Sequence, residues 1–493
     1  MNILLVYPKY PDTFWSFKHI MKYISRKAAF PPLGLLTVAS MLPDDWEKKL
    51  VDVNVADLKD EDLMWADLVL ISAMIVQQDS AKEIISRCRS LDRKVVAGGP
   101  LFTTGHEKFG MVDHLVLDEA EVTLPMFLED LKDGKPKHIY TSKERPDITD
   151  TPIPQWSLIN FKDYADMAVQ YSRGCPFNCE FCDIVVMNGR MPRAKTPEQL
   201  LREFQSLFDA GWRGTVFIVD DNFIGNKAKV KRMLPSVIEW QKKHRYPFKL
   251  MTEASVNLAE DEELMLMMSA ANFYRVFLGI ETPCVESLNE CGKVQNTNIS
   301  LADSVKRIQN HGMQVDGGFI LGFDNDPDNI FEAQIRFIQK TGIVTAMVGL
   351  LTAGPQTRLW HRMKAEGRLL QDTSGDNTDG SLNFIPIMGR EKLIAGHKKI
   401  LSTIYSRKLY YRRIRTFLKN YRPTVKVRFS WRDFIAFLRS IWVIGVVSRS
   451  RFLYWKLLIR TFFTKMRALP VAVELALYWQ HFERVAKQAT LKT

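Results

Sequence analysis

The sequence predicts an α/β protein in three parts. These are a doubly wound parallel sheet over residues 1–150, a partial (β/α)6 barrel over 151–400 and a mostly helical, basic region over 401–493. Three observations carry that reading. Short runs rich in Val, Ile and Leu alternate with helix-length stretches through the first 400 residues. A proline-marked linker, Thr151-Pro-Ile-Pro-Gln-Trp156, divides the alternation in two. Charge then changes abruptly. The net charge is +12, yet residues 401–493 hold 20 Lys and Arg against three acids, Asp433, Glu474 and Glu483, so the preceding residues are mildly acidic. A chain of 493 residues has room for two or three such domains.

In the first part strands are expected at 2–7, 49–53, 67–73, 94–98 and 113–117, with helices at 33–42, 80–90 and 121–131. The N-terminus lacks the basic segment of a signal peptide and reads as the first strand. No run is apolar enough for long enough to be a clear transmembrane helix. Ligands on doubly wound sheets sit beyond the C-terminal strand ends. The loops expected there are Phe30-Pro-Pro-Leu-Gly-Leu35, Ser72-Ala-Met-Ile-Val-Gln77, Gly98-Gly-Pro100 and Asp118-Glu-Ala-Glu121. The paired glycines permit close backbone approach to a ligand.

The second part repeats strand and helix six times, with strands expected at 168–172, 215–219, 249–253, 275–280, 314–321 and 345–351. Thr196-Pro-Glu-Gln199 is a capping box with proline at the first helical position. Functional groups of such barrels belong at the C-terminal strand ends. Successive ends carry Asp220-Asp221-Asn222-Phe223, Glu253, Gly279-Ile-Glu281, Gly318-Phe-Ile-Leu-Gly322 and Ala353-Gly-Pro-Gln-Thr357. Carboxylates and an amide accept hydrogen bonds from an amine or from ribose hydroxyls. A lone Glu at a strand end is more often solvated or ion-paired; their shared register points to one site.

Cys175, Cys179 and Cys182 stand at C-x3-C-x2-C spacing just after the first barrel strand. Three thiolates from one loop can hold three irons of a [4Fe–4S] cube. No fourth cysteine follows nearby, which leaves one iron free to take a small molecule. Half of a zinc site, or three buried thiols, are the other readings; zinc would want a fourth Cys or His at similar density. Six cysteines in so long a chain make no disulfide framework, and a labile cluster implies a reducing cytosol. Cys88, Cys284 and Cys291 read as ordinary thiols.

The last part is basic and aromatic. In 452–466, Phe452, Trp455, Ile459, Phe462 and Met466 share a helical face beside Lys456, Arg460 and Arg467. Such a segment lies in an anionic bilayer surface, or caps the barrel with solvated arginines, and the two are compatible. No RNA-binding module accompanies the charge, so nucleic acid is not an expected partner.

The cysteine loop, with Phe181 before its last cysteine, and the strand-end elements resemble the radical S-adenosylmethionine (SAM) superfamily. With Pro31-Pro-Leu-Gly-Leu35 and Gly98-Gly-Pro100 ahead of that loop, the whole chain resembles the cobalamin-dependent radical SAM methyltransferases. Within them it is most similar to the hopanoid C-2 methylase branch, on the Pro-Pro-Leu-Gly-Leu element, residues 175–183, Val219-Asp-Asp-Asn-Phe-Ile-Gly-Asn226 and the basic tail. The resemblance implies a [4Fe–4S] cluster on Cys175, Cys179 and Cys182. It implies SAM at Phe181, Asp220, Asp221, Asn222, Glu253, Glu281, Gly318, Ile320 and Gly322. It implies cobalamin at Pro32, Leu33, Ser72, Met74, Gln77, Gly98, Gly99, Pro100, Glu119 and Glu121.

The implied activity is methylation of an unactivated carbon in a hydrophobic, hopanoid-like lipid. SAM cleavage at the reduced cluster yields a radical that removes hydrogen, and methylcobalamin supplies the methyl group. A ferredoxin or flavodoxin is the implied electron donor, and the cytoplasm, at the inner face of the membrane, the implied location. One departure stands out. The Asp-x-His-x-x-Gly loop that gives cobalt a histidine in many cobalamin proteins is absent after the first strand. Its nearest look-alike, Asp52-Val-Asn-Val-Ala-Asp57, has no histidine, so none is expected on cobalt. Other readings are a non-methylating radical SAM enzyme that closes a ring or couples carbons, and a membrane-surface binding protein with a relict cluster. A tRNA methylthiotransferase would need a second cysteine triad before the loop, where only Cys88 stands.

Overall fold

The computed structural model describes the chain except for residues 22, 377, 425, 427–430 and 492–493. The first sheet contains β1 (Asn2–Tyr7), β2 (Glu47–Asp52), β3 (Leu68–Ser72), β4 (Lys94–Gly98), β5 (His114–Val116) and β6 (Ile139–Tyr140). All pair in parallel, in the order β2-β1-β3-β4-β5-β6. Alternate residues feed two cores: Leu4, Val6, Val69 and Ile71 pack on one face, Ile3, Leu5, Leu68 and Leu70 on the other. Burial on both faces is what makes these strands continuous apolar runs. Helices α1 (Leu33–Met41), α2 (Gln78–Ser90) and α3 (Ala120–Lys132) cover them, and Cys88 is core on α2. The sequence did not indicate β6, whose two residues are too few to show a period.

The barrel strands are β7 (Met167–Val169), β8 (Thr215–Ile218), β9 (Lys249–Ala254), β10 (Phe273–Glu281), β11 (Gln314–Leu321) and β12 (Ala346–Leu350), paired in sequence order and parallel. β7 is shorter than the expected 168–172. The Asp220 carboxylate takes the Tyr171 N–H, and Ser172–Arg173 turns away to pair antiparallel with Arg193–Ala194. The capping box forms as expected: Thr196 Oγ1 accepts from Gln199 N–H, and Gln199 Oε1 from Thr196 N–H. It starts α4 (Pro197–Asp209); α5 (Lys227–Lys243), α6 (Glu262–Ala270), α7 (Leu301–Asn310) and α8 (Ile330–Thr341) complete the outer layer, and α9 (Arg358–Ala365) follows β12. Outward-facing Leu250 and Thr252 on β9 are buried beneath that layer, whereas inward-facing Lys249, Met251 and Glu253 are only partly covered.

Beyond residue 390 come α10 (Arg390–Ile404), α11 (Arg407–Asn420), α12 (Trp431–Ser440), a π-helical turn (Ile441–Val447), α13 (Arg451–Lys465) and α14 (Leu469–Leu491). One core runs from the barrel through Ile400, Ile414, Tyr454 and Phe482 to Ala486, so these helices cap the barrel. Arg413 is a strut in that cap: buried, it donates to the carbonyls of Ile404 (2.8 Å) and Val344 (2.9 Å). On α13, Tyr454, Leu457 and Leu458 face inward. Phe452 and Phe463 are 75% and 80% exposed, with Ile459, Phe462 and Met466 also in the open. No helix among the described residues is long and apolar enough to cross a membrane.

Candidate active site at the C-terminal ends of the barrel strands

The cysteine loop leaves β7 through Gly174, whose φ of +93° and closeness to the carbonyls of Gly189 and Met191 (3.0 Å from a Cβ there) demand glycine. Amide N–H groups approach two of the sulfurs: Asn222 Nδ2 lies 3.7 Å from Cys175 Sγ and Gln295 Nε2 3.9 Å from Cys179 Sγ. Burial pushes the Cys179 and Cys182 thiols up. Coordination removes that proton outright, so iron binding converts desolvated thiols into satisfied ligands. Among the described residues no three His, Cys, Asp or Glu side chains converge on a single metal ion. A cube does not require it, because each thiolate holds a different iron. Three sulfurs on one loop, two of them facing amide donors, fit an iron–sulfur cluster.

Two ion clusters clamp this loop. On one side Arg173 meets Glu119 (2.8 Å) and Glu121 (2.7 Å), and Arg193 meets Glu119 (2.7 Å). Burial would raise the Glu121 carboxyl, but the Arg173 bonds and charge hold it down at about 2. Glu119 and Glu121, expected at cobalamin, thus spend their oxygens joining the first domain to the cysteine loop. On the other side Glu180, between the second and third cysteines, meets Arg362 on α9 (2.8 Å), which also meets Asp324 (2.7 Å). The Glu180 N–H donates to the carbonyl of Cys291 (2.8 Å), giving that buried residue a structural place.

The neighbouring carboxylates Asp220 and Asp221 differ. Asp220 Oδ1 accepts from Tyr171 N–H (2.8 Å) and Oδ2 from Ser172 Oγ (2.5 Å). Both of its oxygens serve the chain. Asp221 takes its two donors, Gly174 N–H (2.8 Å) and Asn188 Nδ2 (2.9 Å), on the same atom, Oδ2. Its Oδ1 has no hydrogen-bond partner among the described residues. Asn222 ties β8 to β9 by accepting from Ser255 N–H (3.2 Å). The Glu253 side chain has no hydrogen-bond partner among the described residues; burial, then repulsion from Asp221, raises its carboxyl to about 7. Glu281 sits at φ +62° and pairs with Lys293 (2.6 Å). A Cβ at Gly279 would collide with that pair. Lys293 is held charged despite burial by Glu281 and the Cys179 and Cys182 sulfurs. Phe181 packs on the cluster that contains Ile320, Phe323 and Leu351. Gly318 leaves room for the Phe277 ring, and Gly322 adopts φ +103° beneath Leu393.

In the first domain, Ser72 and Met74 at the end of β3 meet Gly98, Gly99 and Pro100 at the end of β4, tied by Leu101 N–H to the Ala73 carbonyl (2.9 Å). A Cβ on Gly98 would stand 2.6 Å from the Val116 carbonyl oxygen, and one on Gly99, at φ +87°, 2.6 Å from Ser72 Oγ. The chain's own packing therefore demands glycine at both positions, which keeps this edge free of side chains. Pro32 and Leu33 open α1 after β1, on the far side of the strand-order switch between β1 and β3, where doubly wound sheets part to admit a ligand. A bare glycine edge with exposed Met74 fits a large, flat macrocycle. Gln77 turns inward instead, accepting from Met74 N–H (2.8 Å) and donating to the Pro8 carbonyl. Asp52 is spent on Asn54 N–H (2.9 Å) and the Tyr164 hydroxyl (3.0 Å).

Sequence reasoning missed Lys293, Gln295, Arg173 and Arg362. Only Arg173, two positions before Cys175, carries a local signal.

A B12 binding domain model matches residues 23–128, a radical SAM superfamily model residues 169–338, and a domain of unknown function (DUF4070) residues 357–493. An uncharacterized methyltransferase of Synechocystis sp. is 45% identical, over 92% of this chain and 86% of its own length. The hopanoid C-2 methylase of Rhodopseudomonas palustris is 33% identical, over 93% and 89%. Among solved structures, the cobalamin-dependent SAM radical enzyme OxsB superposes with a TM-score of 0.64 at 14% identity, covering 99% of this chain and 80% of that one. The radical SAM methyltransferase TsrM of Kitasatospora setae gives 0.59 at 15%, covering 76% and 79%. The two structures share the fold. The chain belongs to the cobalamin-dependent radical SAM methyltransferases, and its cofactors are a [4Fe–4S] cluster, SAM and cobalamin.

Proposed function

We propose that the protein methylates an unactivated carbon of a hydrophobic, hopanoid-like lipid. The observation that carries this is the inner face of the barrel. Phe217, Met251, Phe277 and Met347 all point inward and are half-buried, while their outward neighbours Val216, Leu250, Val276 and Val348 are fully covered. Between the charged residues at its two ends, the chamber they line offers dispersion contacts. The likeness to the hopanoid C-2 methylase over nearly the whole chain supports the same substrate class.

When bound, the cluster with SAM supplies hydrogen-atom abstraction, and cobalamin supplies the methyl group. The chain's own work is to hold and exclude. Cys175, Cys179 and Cys182 hold the cluster, reduced by a ferredoxin or flavodoxin. Asp221 Oδ1 and Glu253 receive the amine and ribose hydroxyls of SAM, and Phe181 and Ile320 flank its adenine. Asp220 and Asn222 position the strand end, and the Gly98–Gly99 edge receives cobalamin. Hydrogen-atom abstraction needs no general acid or base, which suits an apolar chamber.

We also propose docking on the inner face of the membrane. The exposed Phe452, Ile459, Phe462 and Phe463 lie beside Lys456 and Arg460, with Trp442 (64% exposed) on the adjoining π-helical turn. Each basic residue near an anionic surface contributes about 1 kcal/mol. A Lys456/Arg460/Arg467→Glu triple variant is expected to lose binding to anionic liposomes while keeping its cluster and SAM cleavage. Equal liposome binding by variant and wild type would reduce α13 to a cap.

The substrate reading is tested with reconstituted enzyme, a reductant, methyl-deuterated SAM and a pentacyclic triterpene. A triply deuterated methyl group on the triterpene is expected. Radical cleavage of SAM with an unlabelled, rearranged product would favour ring closure or coupling instead.

A further inference from the structure

The barrel sheet is open between its first and last strands, since β7 and β12 do not pair. A segment of the other domain fills that seam. Residues 8–21 leave the first sheet after β1, and residues 27–29 run beside the stretch entering β7. Lys27 and Ala28 N–H donate to the Asp163 carbonyl (2.8 and 3.1 Å), and Ala165 and Asp166 N–H donate back to Ala28 and Ala29 (2.9 and 3.0 Å). Upstream, Phe14 stacks on Phe482 of α14, with ring centroids 4.6 Å apart, and its carbonyl is hydrogen-bonded to His481 Nε2 (2.9 Å).

Between these anchors Trp15 turns into the barrel. Its Nε1 donates to Met347 Sδ on β12 (3.0 Å), and its ring meets Phe277 on β10 edge-on at 5.4 Å. At the far end of the segment Phe30 meets Phe217 on β8 at 5.4 Å. Both strand residues that Trp15 touches line the apolar chamber, and 37% of the Trp15 surface remains uncovered. Its one polar atom is already spent on sulfur.

We propose that Trp15, carried by the cobalamin domain, forms a wall of the substrate chamber and determines which rigid polycyclic hydrocarbon skeletons fit it. The inference rests on the methyl-transfer reading. Aromatic rings and a thioether reward flat, rigid apolar surface and offer a polar group nothing. The wall and the methyl donor then belong to one domain, so a skeleton seated against Trp15 is registered to the group that supplies the methyl its radical carbon takes.

The test uses cluster- and cobalamin-loaded enzyme and has two arms. The first needs no substrate. In a Met347→Cys background, N-ethylmaleimide labelling at residue 347, read by peptide mass spectrometry, is expected to be slow with Trp15 and about tenfold faster with Trp15→Ala, since opening a packed wall exposes what it covers. Equal rates would overturn the wall. The second arm uses a pentacyclic triterpene in detergent. Trp15→Ala is expected to raise KM about tenfold and to lower methylated product per 5′-deoxyadenosine, with Trp15→Phe within about threefold of wild type. Unchanged KM and coupling in Trp15→Ala would overturn the specificity role while leaving methyl transfer intact. A wild type that methylates no triterpene would overturn the substrate reading and the specificity role with it, and labelling would still decide the wall.

Discussion

The two ends of the barrel use the same residue types for opposite ends. At the N-terminal end Arg275 meets Glu474 of α14 and Asp316 (3.7 Å), with its guanidinium 5.2 Å from the Tyr478 ring. Burial raises the Asp166 and Asp316 carboxyls to about 6 each, opposed by Lys249 and Arg275 respectively. Here charge meets charge and the result is a plug, although Arg275 Nε itself has no hydrogen-bond partner among the described residues. At the C-terminal end Glu281 is paired with Lys293, but Glu253 and Asp221 Oδ1 face inward without hydrogen-bond partners among the described residues. A partly covered carboxylate with an open oxygen is free to take a donor from a ligand. The comparison teaches that the pairing of charge with charge, not its presence, separates a structural end from a receptive one.

The comparison breaks most completely at the cysteines. Replacing Cys175, Cys179 and Cys182 together by Ala is expected to abolish the iron–sulfur absorbance and SAM cleavage, because nothing else in the loop offers soft ligands. Retention of full four-iron content would place the cluster elsewhere. Next comes the plug. Arg275→Met leaves buried carboxylates without their cation, and a loss of about 3–5 kcal/mol of stability is expected. Thermal unfolding monitors it, and cluster content per folded molecule should not change.

A smaller effect sharpens the receptive end. Glu253 keeps its proton to about 7, against an ordinary value of 4.5. A carboxyl raised in the folded state binds more protons there than in the unfolded chain between those values, so its share of stability is full below 4.5 and falls as pH rises towards 7. Binding of a cationic amine runs the other way. SAM affinity is expected to strengthen as pH rises through 7, and Glu253→Gln to flatten that profile. An unchanged profile in the variant would remove Glu253 from the SAM site.

What the sequence disclosed was local. Strand–helix alternation, the Thr196–Gln199 capping box and the cysteine spacing are written within a few residues of one another. The clamps and the seam are not. Arg173 finds Glu121 across 52 positions, Arg275 finds Glu474 across 199, and Trp15 finds Met347 across 332. No periodicity records such pairs. Asp220 and Asp221 show the limit most plainly. Two identical adjacent carboxylates read alike, yet one is saturated by Tyr171 and Ser172 and the other keeps an oxygen open. The ion pairs of Glu119 and Glu121 were hidden for the same reason: Arg173 and Arg193 stand 52 to 74 positions away.

The most direct test is equilibrium binding of SAM to cluster-loaded protein in wild type and three variants, Glu253→Gln, Asp221→Asn and Arg275→Met, below the melting temperature of each. If open carboxylates make the receptive end, Glu253→Gln and Asp221→Asn each weaken binding about tenfold, the scale of one lost charge-assisted hydrogen bond, and Arg275→Met leaves it within experimental error of wild type. Unchanged affinity in the first two, or a matching loss in Arg275→Met, would contradict the division of the barrel into a plugged end and a receptive one.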